Sequence, residues 1–180
     1  MAKLMDVSAF FIALAQDMAE LQMGDAMTNL RLQTLLYYAQ GWSLARHGEP
    51  LFEESIEAWE YGPVVPVCHG WYRGFGHGFL TAQMPPKEAF TADEYELLTD
   101  TFAKLSRFST SHLLAMTRKA GSPWDRAWNH SKSREIPSKE IGAFFSKMPL
   151  SGIREKLDHI PVIKPLYRKD GVPVLAAREA

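Results

Sequence analysis

From Val7 to Met148 the apolar residues return every three or four positions, and each run is bracketed by residues that start or stop helices. A repeat of that length places the apolar side chains on one face of a helix, so most of the chain must fold as helices packed face to face. Val7, Phe10, Phe11, Leu14, Met18 and Leu21 mark the first, over roughly residues 6–22. Thr28 is placed to cap a second, which carries Leu32, Leu35, Leu36, Ala39 and Leu44 with Tyr37, Tyr38 and Trp42 alongside, and Gly48 is placed to end it. Thr91 with Glu94 three residues on has the capping-box form ahead of Tyr95, Leu98, Phe102 and Leu105. Ser109, Thr110 or Ser111 can cap the next helix, and Gly121 ends it. Ser122-Pro123 opens another, with Trp124 and Trp128 one turn apart, and Ile141, Phe144, Phe145 and Met148 define the last.

Two stretches break the rhythm. Ile56, Ala58, Val64 and Val65 flank Tyr61-Gly62-Pro63, which reads as one or two short strands about a turn. Pro66 then opens a short helix through Trp71 and Tyr72, and Gly70, Gly74, Gly76 and Gly78 end it in a loop. After Leu150 the chain turns extended, with a hairpin turn expected at Asp170-Gly171 and with Pro161, Pro165 and Pro173 barring a central sheet position. The expected fold is mainly α (α+β): a helical domain of six or seven helices with a small hairpin-like β-element over residues 1–150. Residues 151–180 form a C-terminal extension, either an edge hairpin or a tail ordered by a partner.

Composition narrows the function classes. Of 180 residues 46% are hydrophobic, enough to build a core rather than a disordered chain. The longest unbroken apolar run, Ala9 to Ala15, is far short of the ~20 residues a membrane span requires. No signal peptide is read at the N-terminus, and the single cysteine, Cys68, forbids an internal disulfide. These features fit a cytoplasmic protein. The formal net charge of −1 conceals a split: residues 1–117 carry seven basic and fourteen acidic side chains, and residues 118–180 carry thirteen and seven.

No catalytic constellation stands out. Gly74-Phe-Gly76-His-Gly78-Phe lacks the third glycine of a dinucleotide loop and the Lys-Ser/Thr of a phosphate loop. His47, His69, His77, His112, His130 and His159 make no zinc-binding spacing, although His69 and His77 bracket the glycine loop. Cys68 and His69 are sequence neighbours and so do not form a dyad. Glu53, Glu54, Glu57 and Glu60 cluster, and a pair of them could serve a glycosidase; a solvated strand edge is the plainer account. No cofactor and no metal are expected. Arg118, Lys119, Arg126, Lys132, Arg134, Lys139 and Lys147 could track phosphates, but Asp125, Glu135 and Glu140 interleave and the pI is about 6.6, which argues against nucleic acid. Aromatic side chains offer more. Trp, Tyr and Arg dominate interface hot spots, and Trp59, Tyr61 and Pro63 together with Trp71, Tyr72 and Arg73 sit near turns. They are the candidate partner-binding residues.

A specific resemblance adds to this reading. Leu32-Gln33, Leu35-Leu36-Tyr37-Tyr38-Ala39-Gln40-Gly41-Trp42, Pro50-Leu51-Phe52 and Ile56-Glu57-Ala58-Trp59-Glu60-Tyr61-Gly62-Pro63-Val64-Val65-Pro66 resemble the Panacea domain of the SocA-like, phage-associated antitoxin family. Ser111-His112-Leu113 through Gly121-Ser122-Pro123-Trp124 resembles that family's later motif, so the resemblance spans about residues 28–149. Thr34 stands where the family often has Lys, and Thr117-Arg118 where it often has Thr-His. The resemblance implies a cytoplasmic antitoxin of a toxin–antitoxin system, not an enzyme, neutralising a protein toxin encoded nearby through protein–protein interaction. It implies an alternative too, a proteolytic adaptor that delivers the toxin to a ClpXP-type protease. Two rivals stand outside it: a hydrolase built on Glu57, Glu60, His69 and His77, and a DNA-binding autorepressor using the basic third. By the same resemblance the motif residues are structural, with Leu35, Leu36 and Trp59 packing helix against sheet.

Overall fold

The computed structural model describes residues 1–21, 24–131 and 133–148, together with the backbone of two short strands at 165–167 and 173–175. Among them run seven α-helices: α1 (Leu4–Glu20), α2 (Asn29–His47), α3 (Pro66–Trp71), α4 (Ala92–Leu105), α5 (Thr110–Thr117), α6 (Pro123–His130) and α7 (Ser138–Phe145). A hairpin of β1 (Glu57–Trp59) and β2 (Gly62–Val64) lies between α2 and α3. The fold is therefore mainly α with a small hairpin, as the periodicity predicts.

The local signals act where they stand. Thr28 caps α2 by accepting from the Arg31 N–H, and Gly48 follows its last turn at φ 75°. Thr91 and Glu94 complete their capping box on α4. Of the three candidates before α5, Ser109 is the cap, accepting from the His112 N–H. Ser122 caps α6 with Pro123 in its first turn.

The fold is built around α2. Every residue from Arg31 to Ser43 is buried, and α1, α3, α4, α5, α7 and β2 all pack against it. A helix covered on all sides must find partners for its polar side chains too, so the apolar stripe expected for α2 understates its burial. Arg31 reaches across to α4 and donates to the carbonyls of Leu105, Ser106 and Phe108 and to Thr110 Oγ1. It thereby supplies donors that the C-terminal carbonyls of a helix otherwise lack. Thr34 returns its hydroxyl to the Leu30 carbonyl, and Thr117 does the same to Leu114, while Arg118 is exposed. Gly41 is the one residue of α2 without a side chain to bury. A β-carbon there would strike the Phe145 ring, so the glycine is what lets α7 close on α2. Phe145 fills that space against Tyr37, Tyr38 and Trp42.

A third segment joins the hairpin. The Ala58 N–H donates to the Arg134 carbonyl and the Ile136 N–H to the Ile56 carbonyl, which covers the outer edge of β1. Glu57 and Glu135 face each other across this bridge. Residues 134–136 of the basic later third thus lie beside residues 56–58, yet among the described residues no ion pair joins Glu53, Glu54, Glu57 or Glu60 to the bases of 118–147. In the C-terminal extension β3 (Pro165–Tyr167) and β4 (Pro173–Leu175) pair antiparallel. The expected turn at Asp170-Gly171 lies outside the described residues, as does Lys132 of the basic set.

Candidate functional site

Two buried glutamines on α2 hold the region that carries the candidate residues. Gln40 Oε1 accepts from the N–H groups of Leu51 and Phe52, and its Nε2 donates to the Phe52 carbonyl. Gln33 Oε1 accepts from the Val65 N–H at the end of β2, and its Nε2 donates to Asn29 Oδ1. Asn29 in turn donates to the His69 carbonyl of α3. The junction between hairpin and α3 is thus fixed by amide groups from the most buried helix of the fold. An amide supplies both an acceptor and donors, which an apolar residue of the same size cannot.

From this anchor the chain leaves the core. Tyr61 sits at the hairpin turn and is 63% exposed. Gly62 behind it adopts φ 140° and leaves no room for a β-carbon, which would lie 2.9 Å from Leu114. Pro63, opposite Ala58, is buried, so it orients the turn and offers no surface of its own. Trp59 is half-buried. Its indole N–H donates to Glu57 Oε2 at 2.9 Å, its carbonyl accepts from Trp124 Nε1, and its ring lies 5.0 Å from that of His69. Trp71 and Arg73 are exposed, and Tyr72 is half-buried with its ring 6.3 Å from Phe75.

The larger surface includes residues that sequence reasoning missed. Val67 lies one turn before Trp71 on α3, and they are 50% and 41% exposed. Phe75 sits in a short 3-10 turn (Arg73–Phe75), and Phe79 is 63% exposed where the chain bridges back to Thr28. Leu30, exposed on the first turn of α2, adjoins that bridge. The signal was present in Gly74-Phe75-Gly76 and Gly78-Phe79, since a phenylalanine between glycines has no regular element to bury it. Val67, Trp71, Phe75 and Phe79 are thus four exposed large apolar side chains within thirteen residues of chain, with Leu30 near the Thr28–Phe79 bridge.

Among the described residues no three His, Cys, Asp or Glu side chains are grouped so that they could hold a metal ion. Cys68 is the buried residue of α3, its sulfur 3.3 Å from Ser8 Oγ, and burial pushes its thiol up, away from the reactive thiolate. Of the basic set, Arg126 is paired with Glu140 at 2.8 Å and Arg134 lies 3.9 Å over the Trp128 ring, which stacks on Trp124. Among the described residues no helix is long and apolar enough to cross a membrane.

The family model described as Antitoxin SocA-like, Panacea domain matches residues 32–125, from the buried α2 through the exposed face into α6. This chain belongs to that family. It is also 31% identical over 110 residues to the protein named Antitoxin SocA of Caulobacter vibrioides (strain NA1000 / CB15N), a match spanning 55% of this chain and 58% of that protein. The match therefore covers less than two thirds of the relative's length. No solved structure gives a significant match. Within this Panacea domain the matched segment contains both glutamine anchors and all six candidate residues, and an antitoxin family speaks for a regulatory rather than a catalytic protein.

Proposed function

We propose that this Panacea domain is an antitoxin that neutralises a protein toxin encoded beside it by binding the toxin directly. The observation that carries the reading is the exposure of Val67, Trp71, Phe75, Phe79 and Leu30 on chain that Gln33 and Asn29 tie to the core. Tyr61 and Arg73 extend it on either side of α3, while Trp59, Tyr72 and Pro63 brace it. Burying a large apolar side chain contributes on the order of 1.5–3 kcal/mol, so two or three anchors here would carry a large share of the binding energy.

The test is co-expression with the neighbouring open reading frame. The expected result is rescue of growth and co-purification by the wild-type protein, with both lost in the Trp71→Ala/Phe79→Ala double variant. A neighbour that is harmless alone, or that stays toxic and never co-purifies, contradicts the reading. Delivery to a ClpXP-type protease is separated by the same assay in cells lacking that protease: sequestration still rescues there, and delivery does not.

A further inference from the structure

Beyond the apolar face lies an unpaired strand edge. Residues 79–84 alternate in burial: Phe79, Thr81 and Gln83 point outward, while Leu80, Ala82 and Met84 turn toward the core. That alternation is the mark of a half-buried β-strand. Pro85 and Pro86 hold Met84 and Pro85 extended, and Pro86 itself has φ −62° and ψ 147°. One side of this strand is engaged only at its start, where the Leu80 N–H donates to the Met27 carbonyl and Phe79 bridges Thr28. Successive residues of an extended chain aim their N–H and C=O groups at opposite edges. With Leu80 committed to the Met27 side, Phe79, Thr81 and Gln83 present theirs to the other. Among the described residues no hydrogen bond is made by the backbone of Thr81, Ala82, Gln83 or Met84. A segment with strand alternation and no strand beside it offers a template for β-addition.

The charge around this edge says what kind of strand fits. From Tyr61 to Lys87 the chain contains no Asp or Glu, although the protein holds 21 acidic residues in all; the cationic and ionisable groups beside the glycine loop are His69, Arg73 and His77, while Lys87 lies over the Tyr95 ring and Glu88 follows it. Asp25 stands on the engaged side, before Met27, and Glu57 and Glu60 belong to the hairpin. We propose that the toxin docks by adding an extended segment of alternating apolar and acidic residues along the free edge of Phe79–Gln83. Its apolar side chains pack on Phe79, and its acidic ones face Arg73 and His77. The inference rests on the toxin-binding reading and specifies its mode. Main-chain pairing supplies affinity that does not depend on the side chains of Thr81 and Gln83, while charge complementarity selects the partner.

The parity of the strand supplies the test, with the co-expressed neighbour's product as the probe. Thr81→Pro and Gln83→Pro each delete a donor on the free edge and are expected to weaken binding at least about 30-fold, with an unchanged unfolding midpoint. Thr81→Ala and Gln83→Ala, which keep the backbone, are expected to bind within about threefold of wild type, and Arg73→Glu to bind markedly more weakly. Amide exchange in the complex gives a readout that needs no substitution: Thr81 and Gln83 slow strongly and Ala82 does not. Wild-type binding with proline variants equal to wild type, or with no slowing at Thr81 and Gln83, overturns the β-addition and leaves toxin binding standing. Complete lack of binding by the wild-type protein overturns both. Self-association of the wild-type chain that the proline variants abolish assigns the edge to a second copy and overturns the proposal.

Discussion

Helix α2 and the 66–86 segment are both rich in apolar and aromatic residues, and they meet opposite fates. In α2 every residue from Arg31 to Ser43 is buried, and its polar side chains Arg31, Gln33, Thr34, Gln40 and Ser43 all have hydrogen-bond partners. In 66–86, Val67, Trp71, Phe75 and Phe79 stay exposed and four consecutive residues leave their backbone unpaired. The difference lies in regularity. A helix satisfies its own backbone and can be surrounded, whereas a glycine- and proline-punctuated segment cannot be buried without stranding its N–H and C=O groups. The first region is closed by its own contacts, and the second is the one the proposed reading gives to a partner.

Substitutions sharpen that contrast by separating stability from binding. The largest loss of stability is expected for Gly41→Val, which drives a side chain into the Phe145 ring and separates α7 from α2. A cost of about 3 kcal/mol is expected from overpacking, read as a lowered midpoint in denaturant. Trp71→Ala with Phe79→Ala is expected to do the reverse: a loss of about 2 kcal/mol or more in toxin binding by calorimetry, with stability within about 0.5 kcal/mol of wild type. Gln33→Leu should blur the two, because it strands the Val65 N–H and frees Asn29. About 2 kcal/mol of stability goes, and binding weakens as α3 loses its anchor. Thr91→Ala removes one side of the α4 capping box, for about 1 kcal/mol of stability and no effect on binding.

The smallest effect concerns pH. Burial opposes ionisation of Glu94, but the Thr91 N–H, together with the chain's N-terminal ammonium 2.9 Å away, outweighs it and holds the carboxyl below the usual range. A lowered folded-state value means the stabilisation is complete above the ordinary glutamate range near 4.3 and fades as pH falls through the folded value. Acid unfolding of Glu94→Gln should therefore be flatter than wild type over that interval, with toxin binding unchanged at neutral pH.

The same contrast explains what could be read in advance. Caps at Thr28, Thr91 and Ser122 act within one turn of chain, so their residues announce them. Tyr61, Trp71 and Arg73 were legible as exposed because turns flank them. Pro63 sits beside the same turn and is buried, since its exposure depends on how the hairpin meets α5. Three features were not legible because their partners are distant in sequence. Gly41 answers to Phe145, Arg31 answers to the end of α4, and residues 134–136 close the edge of β1. The free edge at 79–84 was hidden for another reason: its pattern is that of a strand, but the flanking glycines and prolines read as loop.

The central claim is that the 66–86 face, and not the helical core or the basic later third, receives the toxin. Hydrogen exchange across the whole chain, free and in complex with the neighbouring gene's product, tests it most directly. The account predicts strong protection confined to 66–86 and the Leu30 turn, with α2 unchanged because it is already buried. Protection confined to α5–α7, with 66–86 exchanging as freely as before, would contradict it.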